Sequence, residues 1–168
     1  MHNPIDMRER FLSDHARINA LAADLIALID LPAPPDVFKL SGARWAFASN
    51  LMQHLAIKER HVYAKLEADL RPEAQALFAK SKADIVQRFA DYTNHMEAWP
   101  TSKATGDWST YRPKAIAVVK LFTARLKYEE TELIDAIVRL GIDMNTPAAV
   151  TSNWVRKAFA VKSKVEDL

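Results

Sequence analysis

The stretch LMQHLAIKERHVYAKL, residues 51–66, decides how the chain is read. Leu51, His54, Leu55, Lys58, Val62 and Leu66 recur at the three- and four-residue spacing of one helix face. The pattern predicts an amphipathic helix whose inward stripe carries a histidine and, one turn later, a lysine. A histidine on a buried stripe is a candidate metal ligand, and a carboxylate would be its natural neighbour. An ammonium there is the anomaly from which the rest follows.

The same periodicity extends outward on both sides of the stretch. Before it, Phe11, His15, Ile18, Ala22, Leu25 and Ile29 form the seam of a first helix, read from about Ile5 to Ile29 and ended by the prolines of DLPAPPD (30–36). The second helix runs from Val37 or Ser41 to Leu70. After RPEA, with Pro72 suited to a first turn, a third helix runs to Trp99 with Ala74, Phe78, Ser81, Ile85, Phe89, Tyr92, Met96 and Trp99 inward. Pro100 and TSKATGD read as a closing loop. A fourth helix runs from Tyr111 to Leu140, with Pro113 in its first turn and Gly141 as its cap. Its seam is Tyr111, Ala115, Val118, Phe122, Arg125, Glu129, Leu133, Ala136 and Leu140.

Long amphipathic helices on short connections predict an all-α antiparallel up-down-up-down four-helix bundle over residues 1–142. Residues 143–168 read as a C-terminal extension whose short helix, capped by Thr151 or Ser152, packs Trp154, Ala158 and Val161 on the bundle. Composition agrees with one soluble domain: 168 residues, 49% hydrophobic, 26% charged. The three glycines, Gly42, Gly106 and Gly141, leave no phosphate-cradling loop and no hairpin signal. With no cysteine, thiolate metal sites and disulfides are excluded. A net charge of +2 with interspersed signs gives no electrostatic reason to expect nucleic acid and only a weak one for a membrane, so neither is expected as a partner. No signal peptide is read at the N-terminus, so the cytoplasm is the expected compartment.

Counting residues from each turn at about 1.5 Å per residue brings polar groups from all four helices to one level. They are His15, then His54 and Lys58, then Asp84 and Arg88, then Arg125 and Glu129. Each would cost a few kcal/mol if buried alone, so they are expected to pair with one another.

HLAIKERHVYAKL (54–66) and RLKYEETEL (125–133) resemble the second- and fourth-helix motifs of hemerythrin-like proteins, and His15 in SDHARI resembles that family's first-helix histidine. The resemblance covers about 140 residues in element order and spacing. It implies a non-haem di-iron centre with His and carboxylate ligands, serving oxygen binding or oxygen and iron sensing. Carried over residue by residue, His15, His54 and Glu129 match ligands. Lys58 stands where a carboxylate belongs, Glu59 matches only the second acid of its pair, and Arg125 stands where a histidine belongs. The third helix offers Asp84 or Arg88 at that level rather than a histidine; His95 lies two to three turns away.

The favoured expectation is therefore a metal-free layer in which Arg125 and Lys58 supply the positive charge and Glu129, Asp84 and Glu59 answer it. That describes a non-enzymatic regulatory module of bacterial signalling type, binding a small ligand or protein partner and compatible with a homodimer. The alternative keeps one iron ion at His15, His54 and Glu129, or an intact pair of irons. A third reading, a histidine phosphotransfer domain, rests on HLAIKER, but its lysine is four residues from an inward-facing histidine. His61 is expected to be solvated and His95 to pack near Trp99.

Overall fold

The computed structural model describes residues 6–158. Its helices are α1 (Met7–Ile29), α2 (Val37–Lys58), α3 (Ala64–Ala68), α4 (Pro72–Ala98), α5 (Thr101–Gly106), α6 (Trp108–Tyr128), α7 (Ile134–Arg139) and α8 (Trp154–Ala158). No strand occurs among the described residues, and no helix is long and apolar enough to cross a membrane. Two π-helical turns, π1 (Glu59–Tyr63) and π2 (Glu129–Leu133), join α2 to α3 and α6 to α7 without interrupting either rod. Ile5 and Val161, assigned from the sequence to the first helix and the C-terminal helix, lie outside the described residues.

Local chemistry sets the ends. The Asp6 and Asp36 carboxylates accept from the Arg8 amide at 3.0 Å and the Phe38 amide at 3.0 Å, capping α1 and α2. Pro72 opens α4, where its missing N–H costs nothing. At the far end of α7, Gly141 takes φ +69°, and the Ile142 amide reaches back to the Ile137 carbonyl at 3.2 Å. This is the left-handed cap that glycine tolerates best. An added Cβ at Gly141 meets open space, so the penalty of a substitution is purely conformational. Gly141→Ala should lower unfolding free energy by about 1–2 kcal/mol, read as an earlier urea midpoint at unchanged slope.

The core is the predicted seam with a phase correction. Phe11, Ile18, Ala22, Leu25 and Ile29 of α1 are buried against α2 and α6, and Ile85, Phe89, Tyr92 and Met96 of α4 close the other side. Phe89 and Tyr92 each meet Phe122 edge-to-face, at 5.3 and 5.4 Å between ring centres. On the fourth rod, Val118 and Ala136 are only half-buried, while Val119 and Ile137 go inside. Beyond Glu129 the reason is π2, whose Ile134 amide bonds the Glu129 carbonyl. The wider turn shifts the register locally, so that Ile137 goes inside in place of Ala136 while Leu133 and Leu140 keep their expected burial. On the second rod, π1 likewise adds fully buried Tyr63 beside Val62.

Two connections also differ from the sequence expectation. TSKATGD is mostly the helix α5, because Pro100 ends α4 yet leaves the next residue free to start a new turn. Buried Thr101 and Ala104 then give that turn core contacts. Consequently α6 starts at Trp108, and Pro113 falls in its second turn rather than its first. The C-terminal helix begins at Trp154, later than a Thr151 or Ser152 cap implies. Trp154 packs against Tyr63 at 5.6 Å and Phe78 at 6.2 Å between ring centres.

Candidate metal centre

α1 delivers His15 and α2 delivers His54, each from the buried stripe of its helix, and π2 begins at Glu129. Their functional atoms converge. His15 Nε2 lies 2.9 Å from His54 Nε2 and 3.0 Å from Glu129 Oε2, and His54 Nε2 lies 3.3 Å from the same oxygen. All three residues are at most 2% exposed.

The opposite ring nitrogens each face a carboxylate: His15 Nδ1 meets Glu130 Oε1 at 2.9 Å, and His54 Nδ1 meets Asp14 Oδ2 at 3.5 Å. Carboxylates at Nδ1 favour the tautomer with hydrogen there and the lone pair at Nε2. Three lone-pair atoms then point at one another. Only a shared proton or a cation satisfies that focus. Donor atoms bound at about 2.0–2.2 Å to one transition metal stand roughly 3.0–3.4 Å apart, which is the spacing seen here. Two imidazoles and one carboxylate form a recognised donor set for a divalent transition metal.

The other oxygen of Glu129 is engaged differently. Oε1 accepts from Lys58 Nζ in a short ion pair and from Arg125 Nε at 3.2 Å. Lys58 and Arg125 are 6% and 5% exposed, so both cations lie inside the protein. Arg125 also donates to Asp84 Oδ2 at 3.0 Å and to the Tyr63 hydroxyl at 3.2 Å. Burial would raise the Glu129 carboxyl, but the Lys58 charge, then hydrogen bonds from His15 and His54, hold it well below its usual value. Burial would likewise weaken the Arg125 charge; Tyr63, Glu129 and Asp84 reverse that. For Asp14, hydrogen bonds from His54 and Arg10 overcome burial and hold the carboxyl down at about 2.

The residues present fit one metal ion and do not fit two. Guanidinium and ammonium groups donate hydrogen bonds and cannot ligate, and they cover the only remaining Glu129 oxygen.

Not every residue singled out in the sequence joins this layer. Glu59 is a correction: it does not answer Lys58 or Arg125. Its Oε2 is buried without a hydrogen-bond partner, and burial raises its carboxyl against the opposing charges of Arg156 and Arg60. Glu59 follows Lys58 by one regular helical step, its amide bonding the Leu55 carbonyl, and that step carries it off the seam that Lys58 occupies. Asp84 and Arg88 pair with each other at 2.9 Å at the half-buried edge, and only Asp84 reaches Arg125. His61 is half-buried rather than solvated, its Nδ1 donating to the Met144 carbonyl at 2.6 Å. His95 stacks on Tyr111, with ring centres 5.7 Å apart.

Asp14, Glu130 and Tyr63 were not anticipated. Asp14 lies three residues after Phe11 and four before Ile18, so helical spacing did place it on the buried face. Glu130 and Tyr63 gave no such signal, because each stands beside a seam residue, Glu129 or Val62, rather than on the seam.

Searches of curated proteins and of solved structures each returned no match. The family model described as hemerythrin HHE cation binding domain matches residues 6–137, a span that takes in His15, His54, Lys58, Asp84, Arg125 and Glu129. A buried His, His and Glu focus within that span is what a cation-binding domain requires, and the chain belongs to the hemerythrin HHE cation-binding domain family.

Proposed function

We propose that this protein is a metal-binding module holding one divalent transition-metal ion at His15 Nε2, His54 Nε2 and Glu129 Oε2. The four rods are taken as an up-down-up-down bundle. The observation that carries this reading is the convergence of three lone-pair atoms whose imidazoles are backed by Glu130 and Asp14. Iron is the first candidate, because imidazole and carboxylate suit it and the resemblance points to it. A bound iron would supply reversible ligand binding and one-electron chemistry. The chain's own groups would orient the imidazoles, hold Glu129 ionised and keep the focus dry. The role in this reading is binding or sensing.

Anaerobic loading with Fe2+ followed by desalting and elemental analysis should give one ion per chain, and His54→Ala should give less than a tenth of that. Wild-type protein that retains no Fe2+, Zn2+ or Mn2+ would sink the reading. Glu130→Gln removes the carboxylate behind His15 without touching a ligand. It should weaken metal retention by about tenfold, the low end of what outer carboxylates contribute, measured by competition with a chelating dye.

A second reading has its own support. Lys58 and Arg125 already neutralise Glu129 and Asp84, and a single proton can close the His–His–Glu focus. In that case the layer is structural, and the protein is a metal-free regulatory module for a small ligand or protein partner. The same elemental analysis separates the two.

A further inference from the structure

The focus at Glu129 is lopsided. One oxygen faces two imidazole nitrogens; the other is covered by two cations carried on the chain. We propose that Lys58 and Arg125 act as a built-in second cation: they take the place beside Glu129 Oε1 that a second ion would need, fix the site at one metal, and aim Oε2 at the histidines. The inference rests on the single-metal reading.

Three observations support it. First, the two cations are held rigidly. Arg125 is tied to Glu129, Asp84 and the Tyr63 hydroxyl at once, and the Lys58 ammonium lies 5.7 Å from the centre of the Tyr63 ring. Tyr63 is fully buried by π1, so the turn that follows Lys58 also supplies a support for both cations. Second, space is short. The cavity between Lys58, Arg125 and Glu129 on one side and Ile85, Phe89 and Phe122 on the other is about 20 Å³, enough for one water molecule. The α4 wall of that cavity is Ile85, Arg88 and Phe89, two apolar groups and a further cation, and offers no imidazole. Third, charge opposes it. Glu129 and Asp84 already face Lys58, Arg125 and Arg88, so the group carries no negative charge for a second ion and another divalent cation would be strongly repelled.

Lys58 and Arg125 are thus positioning residues that set metal number. The test replaces both cations with potential ligands. Lys58→Glu with Arg125→His would present a carboxylate and an imidazole to Glu129 Oε1, with the Asp84 carboxylate already at that edge. Wild type, Lys58→Met and the double variant would be loaded anaerobically with Fe2+, desalted, and analysed for metal per chain, with circular dichroism confirming helical content.

One ion in the wild type and two in the double variant is the expected result. Lys58→Met removes one repelling charge, supplies no ligand and leaves Arg125 holding Glu129 Oε1, so it should stay at one ion and bind it at least tenfold tighter, the lost repulsion outweighing the one lost hold. One ion in both wild type and double variant, with helicity intact, overturns the inference and leaves the single-metal reading standing. No ion in the wild type but one or two in the double variant overturns the single-metal reading and retains the exclusion by Lys58 and Arg125. No ion in either overturns both. If the double variant fails to fold, Lys58→Met decides alone: unchanged affinity overturns the inference.

Discussion

Glu129→Leu is expected to destabilise the metal-free protein by about 3–5 kcal/mol, enough to unfold a large fraction of a marginally stable domain. Glu129 is 1% exposed and is the shared partner of Lys58, Arg125, His15 and His54. Its removal strands the Lys58 ammonium inside the bundle. Arg125 keeps Asp84 and Tyr63, so the main loss falls on Lys58. Replacing the ion pair as a unit is a different matter, since a buried pair exchanged for packed apolar groups is often near neutral. Lys58→Met added to Glu129→Leu should therefore recover at least about 2 kcal/mol, a coupling within the range for residues in one network. Urea unfolding of the four proteins in the cycle, in the presence of a chelator, measures it. Additive losses would mean that the pair is not energetically linked and that Glu129 acts through shape alone.

That cycle also bears on why the layer survives inside a bundle that could have been filled with leucine. A buried ion pair is weak support for stability, since desolvation cancels most of the attraction. What it does supply is direction. With Oε1 held by Lys58 and Arg125, the Glu129 carboxylate has one orientation, and Oε2 faces the two imidazoles. Asp14 and Glu130 fix the rings from behind in the same way. The arrangement spends stability on geometry, which is the exchange expected at a binding site.

How much of this could be read from the sequence depended on which physical rule governed each residue. The first seam was fully legible because α1 is a regular helix with one apolar face, and every residue assigned to it from Phe11 to Ile29 is buried. His15, His54, Lys58, Arg125 and Glu129 were legible for the same reason. Each occupies a seam position where an apolar residue would otherwise stand. What periodicity could not supply was the pair of π turns. A single inserted residue leaves no mark in composition, yet it displaces Ala136 by Ile137 and buries Tyr63 beside Val62. Arg44 was missed on other grounds. It is 3% exposed and donates to the Trp99 carbonyl at 2.8 Å, at the end of α4, and to the Thr101 hydroxyl at 3.1 Å, which opens α5 where a loop was expected.

Arg44 leads to the second large effect, which concerns pH. Stability should fall by about 2 kcal/mol as pH drops from 6.5 to 4 on account of His95 alone. Burial is the main reason that this imidazole is pushed down to about 4, and the charges of Arg44 and Lys114 add to it. Above pH 6.5 the ring is neutral in both folded and unfolded chains and contributes no slope. Between 6.5 and 4 the unfolded chain binds a proton that the folded chain refuses, so unfolding is favoured. Below 4 the folded ring protonates too and the dependence ends. The full linkage of such a shift is about 3 kcal/mol, and the solvent contact of a half-buried ring reduces it to about 2. His95→Phe keeps an aromatic ring to stack on Tyr111 and removes the titration. Unfolding free energies of wild type and variant, measured at half-unit steps from pH 7 to 4, should diverge progressively below 6.5. Parallel curves would show that His95 takes its proton as easily in the folded protein as in the unfolded one.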